Sequence, residues 1–217
     1  MKWILYCVLT VAVAMLSACS GGSAFKISAD IKSLGNQNVH VVFLGDSGVV
    51  DRFIPVNDGK FSVEGHSQDY TLVSILDSQN RPLMRLAAKG GDNIELSGDF
   101  NNPHHYQCKG SDASQEWFKF ESEHAMLYDV AHSQPLDAAI EKYVKANPSS
   151  VVSTLLLVAD YSDCDKAMQL LTGIEKDARP ASLVASLQQY KDAMGKPEEA
   201  KGLMGYLTKL MLYRFNN

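Results

Sequence analysis

The hydrophobic pattern of this chain changes period once, at Gly110, and that change limits what it can fold into. Before Gly110, apolar and polar residues alternate in short runs, with turns at a spacing of roughly 8 to 12 residues, the pattern of strands. Ala24 to Ile31 places Phe25, Ile27, Ala29 and Ile31 on one side and Lys26, Ser28 and Asp30 on the other. Val39 to Leu44 is continuous and apolar, as expected of a strand covered on both faces. Val49 to Val56, Phe61 to Val63, Tyr70 to Leu76, Leu83 to Ala88 and Asn93 to Ser97 follow, with His104 to Cys108 as a last strand. Two tetrads join the runs between Val39 and Gly65, Gly45-Asp46-Ser47-Gly48 and Asn57-Asp58-Gly59-Lys60. Asp-Gly supplies the positive φ angles of a tight turn, so this stretch reads as an antiparallel meander.

Behind Gly110 apolar residues recur every three or four positions. Ala113, Trp117, Phe120, His124, Leu127 and Ala131 form one stripe, with Ser111 or Asp112 as its N-cap. A second helix opens at Pro135 and stops at Asn147-Pro148, because the residue before a proline avoids the helical region. A third, Val151 to Asp160, is apolar nearly all round and therefore buried. A fourth is capped by Asp163 and ends near Gly173, a fifth runs from Ala181 to Met194, and an amphipathic one from Pro197 to Tyr213. The expected class is α+β: an antiparallel, β-sandwich-like domain over residues 25–109, then a helical domain over 110–217.

The first residues address the chain. Lys2 precedes an apolar run from Trp3 to Leu16, and Leu16-Ser17-Ala18-Cys19 follows. This is the pattern of a secretory signal, too short for a membrane span. The tetrad resembles a bacterial lipobox, which implies a signal peptide over 1–18, acylation at Cys19 and a tether over 19–24. Removal of residues 1–18 leaves 199 of 217 and moves the formal charge from −5 to −6, since Lys2 is the only charge lost. An acidic chain without a basic run argues against nucleic-acid binding and polybasic membrane adsorption. The partner implied is the membrane, through lipid, with an envelope protein as a further one. Ser20 lacks the Asp that in enterobacteria retains lipoproteins at the inner membrane, which points to the outer membrane, facing the periplasm.

Candidate chemistry is sparse. Cys108 and Cys164 either join the two halves as a disulfide or remain separate thiols in an oxidising compartment. No Cys-x-x-Cys occurs, so no thioredoxin-type centre is present. Gly45-Asp46-Ser47 with Asp129-Val130-Ala131-His132 has the letters of a Gly-Asp-Ser esterase. That chemistry needs a parallel α/β sheet to bring Ser47 and His132 together, and the segment between Ser47 and Gly110 reads as strands and turns. His104 and His105 are adjacent, so on a strand they point to opposite faces and cannot chelate together. No metal, cofactor or catalytic residue is expected.

Several segments share one likeness: the lipobox, Phe25-Lys26-Ile27-Ser28-Ala29, Asp58-Gly59-Lys60-Phe61-Ser62-Val63-Glu64-Gly65 and Gly91-Asp92-Asn93-Ile94-Glu95-Leu96-Ser97-Gly98. It continues in Lys109-Gly110-Ser111 and Tyr143-Val144-Lys145-Ala146-Asn147-Pro148-Ser149-Ser150. On these residues the chain resembles an N-terminal domain found in Bacteroidetes-type envelope lipoproteins, which often precedes a thioredoxin-like, TlpA-type domain. The resemblance implies a non-catalytic binding or accessory role in the envelope. Rival expectations are an accessory to thiol–disulfide exchange or stress pathways acting with a thioredoxin-like partner, and the Ser47 esterase.

Overall fold

A computed structural model describes residues 22–128 and 134–195. Cys19, His132, Ala131 and the amphipathic stretch expected over 197–213 lie outside the described residues. Within them the chain is α+β, with two four-stranded sheets and a set of helices. One sheet contains β1 (Ala24–Lys32), β4 (Lys60–His66), β7 (Asn93–Asp99) and β8 (Gln107–Lys109), in the order β4-β1-β7-β8. The other contains β2 (Gln37–Gly45), β3 (Gly48–Val56), β5 (Thr71–Leu76) and β6 (Pro82–Ala88), in the order β3-β2-β5-β6.

Two expectations fail here for physical reasons. The all-antiparallel reading breaks at one pair, because β1 and β7 run parallel, with Lys26 to Lys32 set against Asn93 to Asp99. A parallel pair needs a long crossover, and the excursion through β2 to β6 supplies it without a helix. The meander breaks at Asn57-Asp58-Gly59. Asp58 and Gly59 do adopt positive φ, 49° and 75°, and Asn57 bridges Lys60. Beyond that bridge, however, β4 leaves β3 and pairs with β1. The turn therefore carries the chain from one sheet to the other.

The alternation of β1 and β4 buries Phe25, Ile27, Ala29, Ile31, Phe61 and Val63 against Val39, Val41, Phe43, Val73, Ile75 and Leu86 of the other sheet. Phe25 and Phe43 meet edge-to-face with ring centroids 5.2 Å apart. Gly65 lies beneath them, where a Cβ would stand 2.3 Å from Phe25 and 2.6 Å from Phe43. The opposite face of the second sheet offers Val42, Leu72, Leu76 and Ala87 to the helices. That sheet is covered on both faces, which explains the unbroken apolar runs of β2 and β5.

The helices are α1 (Asp112–Glu123), α2 (Ala125–Tyr128), α3 (Gln134–Ala146), α4 (Val151–Ala159), α5 (Cys164–Leu171) and α6 (Ala181–Gly195). Ser111, Ser150 and Asp163 cap α1, α4 and α5, each side chain accepting a backbone N–H of the first turn. Val152 and Leu155 to Ala159 of α4 are fully buried, which makes it the central helix of this layer. The stripe expected to run unbroken through Leu127 is interrupted at His124. The His124 ring donates to the Phe120 carbonyl at 2.8 Å and stacks on the Phe120 ring, and the backbone leaves helical geometry there. The break turns Tyr128, rather than Leu127, into the core. The strand expected from His104 is also corrected: Pro103–His105 forms a 3-10 turn, and β8 begins only at Gln107.

Candidate functional site

The densest buried polar cluster lies where β6 meets the helices. In β6 the residues at 85 and 87 face the helical layer, while Leu86 and Ala88 face the other sheet. Arg85 is thereby placed in an apolar interface, its side chain only 2% exposed. Burial at that level requires partners for every donor. Nη1 donates to the Ala159 carbonyl at 2.9 Å, the last of α4, and Nη2 donates to Asp160 Oδ1. The same Nη2 lies 3.7 Å from Glu121 Oε1 of α1. Asp160 Oδ2 accepts from Trp117 Nε1 at 3.1 Å and from the Tyr128 hydroxyl at 3.0 Å. The guanidinium also sits 5.3 Å from the Trp117 ring centre.

Two carboxylates thus share one guanidinium where β6 meets the helices, Asp160 fully buried and Glu121 mostly so. Burial, reinforced by the charge of Asp160, pushes Glu121 up to about 8, with Arg85 only partly opposing. Burial pulls Arg85 down, but Asp160 and Glu121 outweigh it and hold the guanidinium above its usual range. Burial and then Asp160 push the Tyr128 hydroxyl well up. With Glu121 protonated, the pair that remains, Arg85 and Asp160, is neutral overall. The cluster ties β6, α1, α2 and the end of α4 into one joint. Its chemistry is that of a lock, since each polar atom named is engaged inside the protein. Sequence reasoning missed it: the signals were a lone arginine in the apolar run Leu83 to Ala88 and an aspartate ending an all-apolar helix.

The residues singled out from sequence are placed otherwise. Ser47 sits at the tip of the β2–β3 hairpin, where Gly45 pairs with Gly48. Asp46 Oδ1 accepts from the Gln68 backbone N–H at 2.8 Å, so the aspartate pins the hairpin to a neighbouring loop. β2 is flanked by antiparallel β3 and β5, and the element directly after Ser47 is strand β3, not a helix. The strand–turn–helix setting of a nucleophilic serine is therefore absent at this position.

His104 and His105 diverge. The His104 ring lies 5.5 Å from the Tyr128 ring, whereas His105 Nδ1 is 3.0 Å from Ser122 Oγ. The latter pair borders an open groove of about 500 Å³ with Cys108, Gln115 and Lys119. Ser122 lies in the last turn of α1, where the carbonyl end of the helix disfavours an alkoxide. Among the described residues no three His, Cys, Asp or Glu side chains gather to hold a metal ion. Cys108 and Cys164 are not bridged. Cys108 belongs to the inter-sheet core and Cys164 packs on the helical core. Burial pushes the Cys108 thiol up to about 11, so at neutral pH it carries almost no thiolate, the nucleophilic form.

The outer face of the β1 sheet holds a trough of about 330 Å³. Ser28, Asp30, Glu95, Ser97, Gln107 and Lys109 line it, in cross-strand rows that set Ser28 beside Glu95 and Glu95 beside Lys109. Such a surface offers hydroxyl, amide and opposite charges to a polar ligand. Among the described residues no helix is long and apolar enough to cross a membrane. Neither a protein-family model nor a curated protein matches the chain.

Proposed function

We propose that this chain is a lipid-anchored envelope protein with a binding or accessory role and no catalysis of its own, kin to the N-terminal domains it resembles. Its build is read as a β-sandwich-like unit followed by a helical unit, exposed to the periplasm from the outer membrane. The observation that carries the reading is Leu16-Ser17-Ala18-Cys19 behind an apolar run, with only small residues between Cys19 and the start of β1. The accessory role is supported by the use of polar groups: the buried charges close on one another around Arg85, and Ser47 and Asp46 serve a hairpin.

The test is metabolic labelling with an alkyne palmitate in a bacterial host, followed by density fractionation. The wild-type chain should carry label and sediment with outer membranes, while Cys19→Ala should lose the label and retain an uncleaved leader. Unlabelled wild-type protein in the soluble fraction would refute the reading.

A further inference from the structure

Strand directions divide the loops between two poles about 30 Å apart, the length of a nine-residue strand. One pole gathers Gly22–Ala24, the 45–48 hairpin tip, the 66–70 loop and the 89–92 turn. Hydrogen bonds join them: Asp46 N to His66 O at 3.2 Å, Ser67 N to Ser23 O at 2.7 Å, and Gly90 N to Ser67 O at 2.8 Å. The opposite pole gathers residues 33–36, 57–59 and 99–102, joined by Gly59 N to Gly35 O at 3.0 Å and Phe100 N to Lys32 O at 2.9 Å. The β5–β6 turn at 77–81 belongs there as well, since Leu76 pairs with His40 near the start of β2.

The chain enters at the first pole, and its entry is clamped. Besides the bond from Ser67, Gly91 N donates to Ala24 O at 2.8 Å. Gly22 and Ser23 lie directly on Gly90, where a Cβ would stand 1.8 Å from Gly22 O and 2.5 Å from Ser23 Cα. Only glycine admits the backbone there. The tether is therefore seated on the body from Gly22 onward. Two residues, Ser20 and Gly21, separate that seat from Cys19, and the three Cα-to-Cα steps reach about 10 Å fully extended.

We infer that the entry pole is a membrane-facing platform, held against the lipid headgroups of the bilayer that takes the acyl chains. The inference rests on acylation at Cys19 as proposed above. A two-residue leash leaves the body no room to roll, so the 45–48 tip, the 66–70 loop and the 89–92 turn face the headgroups and the opposite pole faces the compartment. The platform is built stiff. Asp69 Oδ1 accepts from Tyr70 N at 2.7 Å and Oδ2 from Ala181 N at 3.0 Å, while Asp92 Oδ2 accepts from Lys89 N at 3.1 Å. Asp46, Asp69 and Asp92 outnumber Lys89, so this face gains nothing from anionic lipid, and the anchor with its clamp does the holding.

The test uses the acylated protein, its lipid verified by mass, in phosphatidylcholine vesicles containing headgroup-nitroxide lipid. A fluorophore is attached at Ser47→Cys or at Gln79→Cys, both exposed positions, in a Cys164→Ser background where buried Cys108 does not react. Several-fold stronger quenching at position 47 than at 79 is expected. A long Gly-Ser insertion after Gly21 should abolish the difference, because the body then rotates freely. Equal quenching at both positions without the insertion, or a difference that survives it, would overturn the inference. Absence of the acyl mass would instead refute the anchoring on which it rests.

Discussion

Removing the Asp160 carboxylate is the sharpest probe of the buried joint. Asp160→Ala strips the acceptor from three donors at once: Arg85 Nη2, Trp117 Nε1 and the Tyr128 hydroxyl. Arg85 keeps the Ala159 carbonyl and distant Glu121, 3.7 Å away, which the loss of Asp160 would drive towards ionisation. Breaking a buried ion pair from one side costs about 3 to 5 kcal/mol, because an uncompensated charge stays behind. Partial rescue by Glu121 sets the expectation near the lower end, about 3 kcal/mol. With a urea slope of about 2 kcal/mol/M, the midpoint should fall by about 1.5 M. The assay is unusually direct. Of the two tryptophans Trp3 falls in the proposed leader, so a chain that begins at Cys19 has fluorescence from Trp117 alone, which is fully buried and bonded to Asp160. Replacing both partners, as Arg85→Met with Asp160→Leu, should recover the part of the loss due to the stranded guanidinium, while Trp117 Nε1 and the Tyr128 hydroxyl still lack the Asp160 acceptor. A loss below about 1 kcal/mol for Asp160→Ala, or a double variant worse than the single, would refute the claim that Asp160 compensates Arg85.

Glu121 gives the joint a pH dependence whose sign follows from its raised pKa. The folded protein holds the Glu121 proton more tightly than the unfolded chain, so the associated stability is complete below about 4.5. It is lost at about 1.4 kcal/mol per pH unit as pH rises towards about 8; Glu121→Gln should flatten this window in urea titrations at pH 5, 6, 7 and 8, and parallel profiles would disprove it. Gly59→Ala should lower the melting temperature by about 4 to 8 °C, equivalent to about 2 kcal/mol, because φ is +75° and the new Cβ would meet Ile31 O at 2.2 Å. Ser47→Ala should leave stability within about 0.5 kcal/mol and should not alter turnover of short acyl esters, measured beside the wild type, since its site is a hairpin tip.

What was legible from sequence is what depends on near neighbours. The alternation of Phe25, Ile27, Ala29 and Ile31 states which face of β1 is buried, and Asp58-Gly59 states where the chain turns. Asp163 marks a helix start by the same local logic. None of these signals says which strand lies alongside. That β4 pairs with β1 rather than β3, and β7 with β1 in parallel, is decided by how two apolar faces close on each other. The interruption at His124 was hidden because His fits an apolar stripe, while its ring can also take a carbonyl of the preceding turn. Arg85 was legible only as an anomaly. Its partners Glu121 and Asp160 lie far along the chain, and nothing local assigns either to Arg85 until the packing brings them to one guanidinium.

The sheet edges show the same economy in how polar groups are spent. At β6 the edge is closed by α1: Ala87 N donates to Ser114 Oγ at 2.9 Å, and both Ser111 and Ser114 donate to Ala87 O. The residues that begin the helix therefore also finish the strand, which ties the change of period at Gly110 to the protection of an edge. At β3 a different device operates. Arg52 reaches across to the Glu64 carbonyl at 2.9 Å, linking the edge of one sheet to the edge of the other, and Pro55 offers no N–H. Phe53 and Val49 remain exposed on that strand. A second copy pairing antiparallel with Phe53 opposite Val49 would cover both, and that register sets Asp51 directly against Asp51. Like charges opposed across strands destabilise the pair, so the residue that hydrogen-bonds His40 within the chain also works against β3 pairing with itself in that register.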